Sequence, residues 1–417
     1  MSELLQIAEP PLRRPAPPQW RAFLELGFRP LYLLGCGWAA LSVGIWVFAP
    51  QWLVATMAGV IWHAHEMLWG FIATIAVGFL LTAAATWTGS NPMQGRSLAA
   101  LVLLWLMARL GFLLPGTLAF AIGAASELLF FLSAAVALAR VIHISRSVRN
   151  YGVAPLLVAL AVTDAAYLWA SWRGDYLLLM HWLHIGMLCM ALVAVLVSRR
   201  VIPFFASRAI AGLKIPMHVS TGRVQLVSGF VAVIALLMQW QHLAALALSV
   251  TGALALWQTL AWKPWRVASV PLLWILYLGY AGLGTGLLLA AAQRMEWVFW
   301  AAWPAHVIGM AGFSVLIIGM VTRTALGHLG RPLRTDRLMV AIYLLVLLAG
   351  ACRLLALWLV TLSGPWQVGL LHASAGVWVL AFGLYLWRFA PMLIRPRIDR
   401  PAGQAVPVSI QPARRAG

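Results

Sequence analysis

Twelve long apolar runs, separated by short polar segments, organise the chain. They cover approximately 30–49, 64–88, 97–115, 117–140, 153–171, 176–198, 223–240, 242–262, 269–291, 297–321, 338–361 and 366–388. A helix of about 20 apolar residues crosses the hydrocarbon core of a bilayer, so each run is long enough to span. Residues 1–28 are polar, with Pro10, Pro11, Pro15, Pro17 and Pro18, and predict a cytoplasmic arm; residues 391–417 return to Pro, Arg and Gly and predict a loose cytoplasmic tail. No small-residue cleavage pattern follows the first run, which reads as a retained helix. The fold class expected is all-α: a polytopic membrane bundle of 12 transmembrane helices over 29–390, with N- and C-termini cytoplasmic.

Orientation follows from the basic residues. With the N-terminus cytoplasmic, 25 of the 29 Lys and Arg fall in inside segments, and only Arg173 and Arg294 lie outside. The last two, Arg109 and Arg353, lie within runs. Composition agrees: 63% of residues are hydrophobic and 9% are charged, against about 25% in soluble domains. The net charge of +19 does not indicate nucleic acid, because it is spread over the loops as cytoplasmic segments require. Cys36, Cys189 and Cys352 are far apart inside apolar runs, with no C-x-x-C, so neither a disulfide framework nor a thiolate metal site is signalled.

Sidedness gives every histidine a depth. His63 and His65 open the second run, and His181 and His184 lie in the first turns of the sixth. His306 is expected about two and a half turns into the tenth, and His372 under two turns into the twelfth. Six of the ten histidines thus share the outer half of the membrane with Glu66, Arg109 and Arg353, while Glu127 and Asp164 lie nearer its middle. A single membrane histidine is more often a hydrogen-bonded packing residue than a ligand. Six at one depth point instead to a functional site, because buried polarity is costly without a ligand to compensate it.

His181-x-x-His184 puts two rings on one helical face. His63 and His65 are about 200° apart on a helix, which suits two neighbouring centres better than one. Neutral imidazole suits haem iron and copper alike, and the absence of a C-x-x-C-H motif means any haem would be held non-covalently. All six histidines are therefore expected metal and cofactor ligands. Arg109 and Arg353 are expected either to anchor haem propionates or to pair with Glu66 or Glu127. Glu66 is expected to act as a catalytic proton donor or to orient a ligating histidine. Met67, Met187, Met190 and Met310 read as packing.

A weak internal repeat accompanies these residues. Trp62-x-x-His65 recurs as Trp303-x-x-His306, so histidine-bearing runs 2, 6 and 10 recur every four, followed closely by Gly70, Gly186 and Gly309. These glycines leave room for a flat macrocycle or a near helix. The three-by-four arrangement is similar to subunit I of haem–copper oxidases, but run 7 lacks the adjacent histidine pair of those enzymes, so the likeness is one of arrangement only.

Several motifs carry a closer resemblance. Phe28-Arg29-Pro30, Trp62-His-Ala-His-Glu-Met67, Gly78-Phe-Leu-Leu-Thr-Ala83, Trp87-Thr-Gly89, Arg199-Arg-Val-Ile-Pro-Phe204, Thr322-Arg323, Gly327-His-Leu-Gly-Arg-Pro332 and Pro396-Arg397 closely resemble the NnrS family. The chain departs from the family's usual residues at Thr86 and Leu329, neither of them an expected ligand. The resemblance implies a multi-pass protein of the bacterial inner membrane that holds haem b and copper and acts on nitric oxide, by reduction or detoxification, in resistance to nitrosative stress. An enzyme of this kind would need quinol or a separate electron donor. The alternatives are a non-catalytic nitric oxide or metal sensor with the same cofactors and a 12-helix transporter. A transporter would predict Gly/Pro-broken helices paired in two halves, whereas the histidines here recur by fours.

Sidedness is checked by reporter fusions. Alkaline phosphatase joined after Arg173 is expected to be active, and joined after Arg149 inactive; the opposite pattern would invert the assignment.

Overall fold

In the computed structural model the described residues are 17–216, 219–299, 301–359 and 365–398. The expectations for residues 1–16 of the arm, for 399–417 of the tail and for His218 lie outside them. Among the described residues all regular structure is helical and no strand occurs. Twelve helices are long and apolar enough to cross a membrane, and the protein is a multi-pass membrane protein. They are α1 (Phe28–Phe48), α2 (Gly59–Thr88), α3 (Arg96–Leu113), α4 (Thr117–Ile144), α5 (Val148–Arg173), α6 (Tyr176–Ala209), α7 (Val219–Leu237), α8 (Gln241–Ala261), α9 (Pro271–Arg294), α10 (Trp303–His328), α11 (Arg337–Trp358) and α12 (Trp366–Leu393).

Local chemistry sets the ends. Asp175 and Asp336 accept from the backbone N–H groups of Leu178 and Met339, capping α6 and α11 at 3.0 and 2.9 Å. Gly89 and Gly174, at φ 72° and 67°, close α2 and α5 in the left-handed conformation. Several helices outrun their apolar stretches, α6 most of all: it continues past Arg199 and Arg200 to Ala209 with Pro203 inside it. Hydropathy marks the part of a helix that meets lipid, whereas backbone hydrogen bonding carries it on into polar sequence.

Two expectations are corrected. The tenth helix begins at Trp303, with Pro304 in its first turn, so His306 sits in that first turn and not two and a half turns in. Residues 17–28 are not a loose arm. They carry a one-turn helix, Trp20–Phe23, and Gln19 N donates to Ile394 O at 2.9 Å. Arg29 Nη1 then donates to Leu393 O at 3.1 Å and Arg395 O at 2.6 Å, joining the start of the bundle to its end.

Consecutive helices pack side by side, apart from α2, which packs more closely on α4 than on α3, and α12 packs on α1. The core lies on α2, α6 and α10, whose central windows are 89%, 72% and 67% buried, above every other spanning helix. All three touch one another. They are the helices that the histidine repeat singles out.

In both α2 and α10 the first helical turns give way to an eight-residue π-helical segment, Glu66–Ala73 and Val307–Ser314. The two segments meet at the centre. Hydroxyls bond back five residues in both, Thr74 Oγ1 to Trp69 O at 3.1 Å and Ser314 Oγ to Gly309 O at 2.8 Å. A π turn widens the helix and is commonly found at functional sites.

On α9, Gly279, Gly282 and Gly286 receive the backbone of α10 at Leu316, Ala311 and Ile308. A side chain at Gly282 would drive into the Ala311 carbonyl. Gly282→Val is therefore expected to lower the melting temperature in detergent, the overpacking costing about 1–3 kcal/mol or more. Gly383→Ala, where an added methyl meets nothing within 4 Å, should leave it unchanged or slightly raised.

Candidate functional site

Helix α2 carries two different sites on its two sides. The first is a closed cluster of charges. His65 and Glu66 on α2, Arg109 on α3, Glu127 on α4 and Asp164 on α5 are all 2% exposed or less. His65 Nδ1 lies 3.0 Å from Glu66 Oε1, and its Nε2 lies 2.9 Å from Asp164 Oδ1 and 3.3 Å from Glu127 Oε2. Arg109 reaches both Glu66 Oε2, through Nη1, and Glu127 Oε1, through Nη2. Trp38 Nε1 donates to Glu66 Oε2 at 2.5 Å. Gly70 makes the approach possible, since a Cβ there would strike the Arg109 guanidinium and the Glu66 carboxylate. His65, Glu127 and Asp164 offer ligand atoms within 4.8 Å of one another, a set able to hold a metal ion.

The second site is a cavity of about 260 Å³ with an almost wholly apolar lining. Besides the hydroxyls of Tyr167, Tyr176, Ser314 and Ser374, its polar groups are His63 on α2, His306 on α10 and Arg353 on α11, which stand among Met67, Met310 and Trp46. The His63 ring stacks on Trp46 at 3.9 Å with planes 10° apart, and its buried Nδ1 has no hydrogen-bond partner among the described residues. His306 Nδ1 donates to Ala302 O at 2.8 Å, because a carbonyl only accepts. The lone pair is then on Nε2, which accepts from Arg353 Nε at 3.2 Å. Gly309 borders the cavity and a Cβ on it would meet nothing within 4 Å.

The six expected ligands therefore occupy separate settings. His63 and His306 share the cavity, while His65 turns away from it into the charge cluster, as the 200° between neighbouring alternate positions requires. His181 and His184 do not line the cavity. Leu179, Leu183 and Met187 present that face of α6, and His184 Nδ1 instead lies 3.4 Å from Arg294 Nη2. His372 is exposed, with Nδ1 donating to Val368 O at 2.8 Å and its ring 5.5 Å from Phe48; its neighbours Leu371, Ser374 and Ala375 line the cavity.

For Arg109, cofactor anchoring gives way to the pairing alternative, because its guanidinium is enclosed between Glu66 and Glu127. Arg353 remains at the cavity. Glu66 holds His65 and Arg109 and does not border the cavity, so a proton it gave up would go to the cluster first. Trp38 and Trp46 were not legible as site residues; nothing distinguishes them among 23 tryptophans. Glu127 and Asp164 carried a usable signal, being two of only ten acidic residues and each inside an apolar run.

The family model described as NnrS protein matches residues 22–397, so the chain belongs to the NnrS family. No curated protein matches it.

The cluster makes a stability prediction. Arg109→Met leaves Glu66 and Glu127 buried without their shared cation and should cost about 3–5 kcal/mol in unfolding measurements in detergent. Adding Glu66→Gln and Glu127→Gln should recover a large part of that loss. Equal losses with and without the added changes would contradict the pairing.

Proposed function

We propose that this NnrS-family membrane protein takes up nitric oxide in the His63–His306 cavity and removes it, using haem b and copper and electrons from quinol or a separate donor, so protecting the cell from nitrosative damage. With both termini cytoplasmic, the cavity lies in the outer half of the bacterial inner membrane. The observation that carries this reading is the placing of two imidazoles and one guanidinium in a mostly apolar cavity inside a membrane bundle.

The residues present fit a metal-bearing cofactor. His306 is held through Nδ1 by a backbone carbonyl, which is how a ligating histidine is usually oriented, and its Nε2 lone pair is presented to Arg353 and the cavity. His63 is fixed against Trp46 and has an unsatisfied ring nitrogen. One of these two imidazoles would hold the haem iron, leaving a coordination position for nitric oxide, and Arg353 would pair with a propionate. The metal would supply the redox site for nitric oxide. His181 and His184, one turn apart on α6, are the proposed copper pair. An apolar diatomic gas enters from lipid without an aqueous channel, and the apolar lining keeps water from competing for the site. Reduction of two nitric oxide molecules to nitrous oxide and water consumes two electrons and two protons. Those protons must cross a lining with very few polar groups.

Purified protein is expected to show a haem b absorption spectrum that shifts on adding nitric oxide, and to evolve nitrous oxide when given a reductant. At least one of His63→Ala and His306→Ala should lose most of the haem absorbance, while His372→Ala should keep it. Preparations without haem would overturn the reading. A spectral shift without nitrous oxide would replace removal by sensing.

A further inference from the structure

The charge cluster on α2 has a feature that ordinary ion pairing leaves unmatched. Every outward atom is held: His65 Nδ1 by Glu66 Oε1, Glu66 Oε2 by Trp38 and Arg109, and Glu127 Oε1 by Arg109. The inward atoms are not. Glu127 Oε2 and Asp164 Oδ2 are buried and have no hydrogen-bond partner among the described residues. If His65 Nδ1–H donates to Glu66, then Nε2 presents a lone pair to Asp164 Oδ1 at 2.9 Å and Glu127 Oε2 at 3.3 Å. That is three acceptors facing one another among buried residues, and such a set repels itself unless a cation sits among them.

The charge count points the same way. Glu66, Glu127 and Asp164 against Arg109 leave two negative charges when His65 is neutral. One divalent ion cancels them. The alternative is two protons, on His65 and on one carboxyl. The arrangement favours the ion: a carboxylate behind Nδ1 with Nε2 turned toward further carboxylates is how a ligating histidine is commonly supported. Arg109 completes the support by fixing Glu127 through its other oxygen.

We propose that His65 Nε2, Glu127 Oε2 and Asp164 bind one divalent first-row transition ion, separate from the His63–His306 cavity. One imidazole nitrogen with carboxylate oxygens selects Fe(II), Mn(II) or Zn(II); Cu(I), which prefers thiolate and thioether, is disfavoured. The ion ties α2, α4 and α5 at one point. This site does not depend on the nitric oxide reading, since it uses none of the residues assigned to the cavity.

Elemental analysis of the purified full chain is expected to find about one equivalent of iron, manganese or zinc beyond haem iron. After removal with chelator, added Mn(II) should restore it, read by the change in its paramagnetic resonance signal. Asp164→Asn and Glu127→Gln should weaken Mn(II) uptake more than about tenfold, while His63→Ala and His306→Ala leave it intact even where haem is lost. Because the cluster variants are at risk of not folding, the wild-type protein carries a second test. Mn(II) or Zn(II) should raise its melting temperature after chelation. A melting temperature insensitive to both ions, or Mn(II) uptake in Asp164→Asn equal to wild type, would overturn the site in favour of protons. Haem absorbance reports the cavity in the same samples, so failure of one site does not imply failure of the other.

Discussion

A buried charge in a hydrocarbon-facing bundle has no water to fall back on, and the structure is arranged around meeting that constraint at Arg109. Its guanidinium bridges Glu66 of α2 and Glu127 of α4 from α3, and His65 extends the chain of contacts to Asp164 on α5. Four helices are thereby fixed in register by side chains that would each be destabilising alone. Breaking one partner of such a set leaves the others uncompensated, so the set survives or fails as a unit. Among the described residues the most buried spanning window belongs to α2, the helix that contributes two members.

With α2 pinned on one side, elementary helix geometry decides what its other side does. Residues two apart point in nearly opposite directions. Once His65 is committed to the cluster, His63 must face away from it, toward α10 and the cavity. The π-helical segment that starts at Glu66 follows at once, and a matching one follows His306 on α10. The two wide segments touch and also line the cavity, through Met67 and Phe71 on α2 and Gly309 and Met310 on α10.

Much of this was legible in the sequence. Length and apolarity of the runs specify twelve helices. The histidine-bearing runs 2, 6 and 10, which recur every four in the sequence, are the most buried helices of the structure, α2, α6 and α10. Rotation was not legible. The uniform hydrophobicity of a central helix removes the polar–apolar contrast that ordinarily shows which face points where. That is why His184 could not be turned toward Arg294, and why Arg109 could be given two fates but not one. The start of α10 was missed for a different reason: residues 297–302 are as apolar as the helix after them, and Pro304 marks the first turn only in hindsight.

The two copies of the Trp-x-x-His pattern have diverged in use, and the divergence follows from what lies across from each. His65 faces Glu127 and Asp164 on α4 and α5 and is enclosed in charge. His306, at the equivalent place on α10, faces the apolar wall completed by α11, where Arg353 is the one charged group lining the cavity among the described residues. A backbone carbonyl holds the Nδ1 proton of His306, whereas a carboxylate faces the Nδ1 of His65. A carbonyl leaves the imidazole nearly neutral and suited to a soft or borderline metal in a dry space. A carboxylate makes it more basic and suited to a harder cation among other carboxylates. The same helical position thus yields two electrostatically distinct environments on the two sides of α2, one able to exclude water and one able to hold charge.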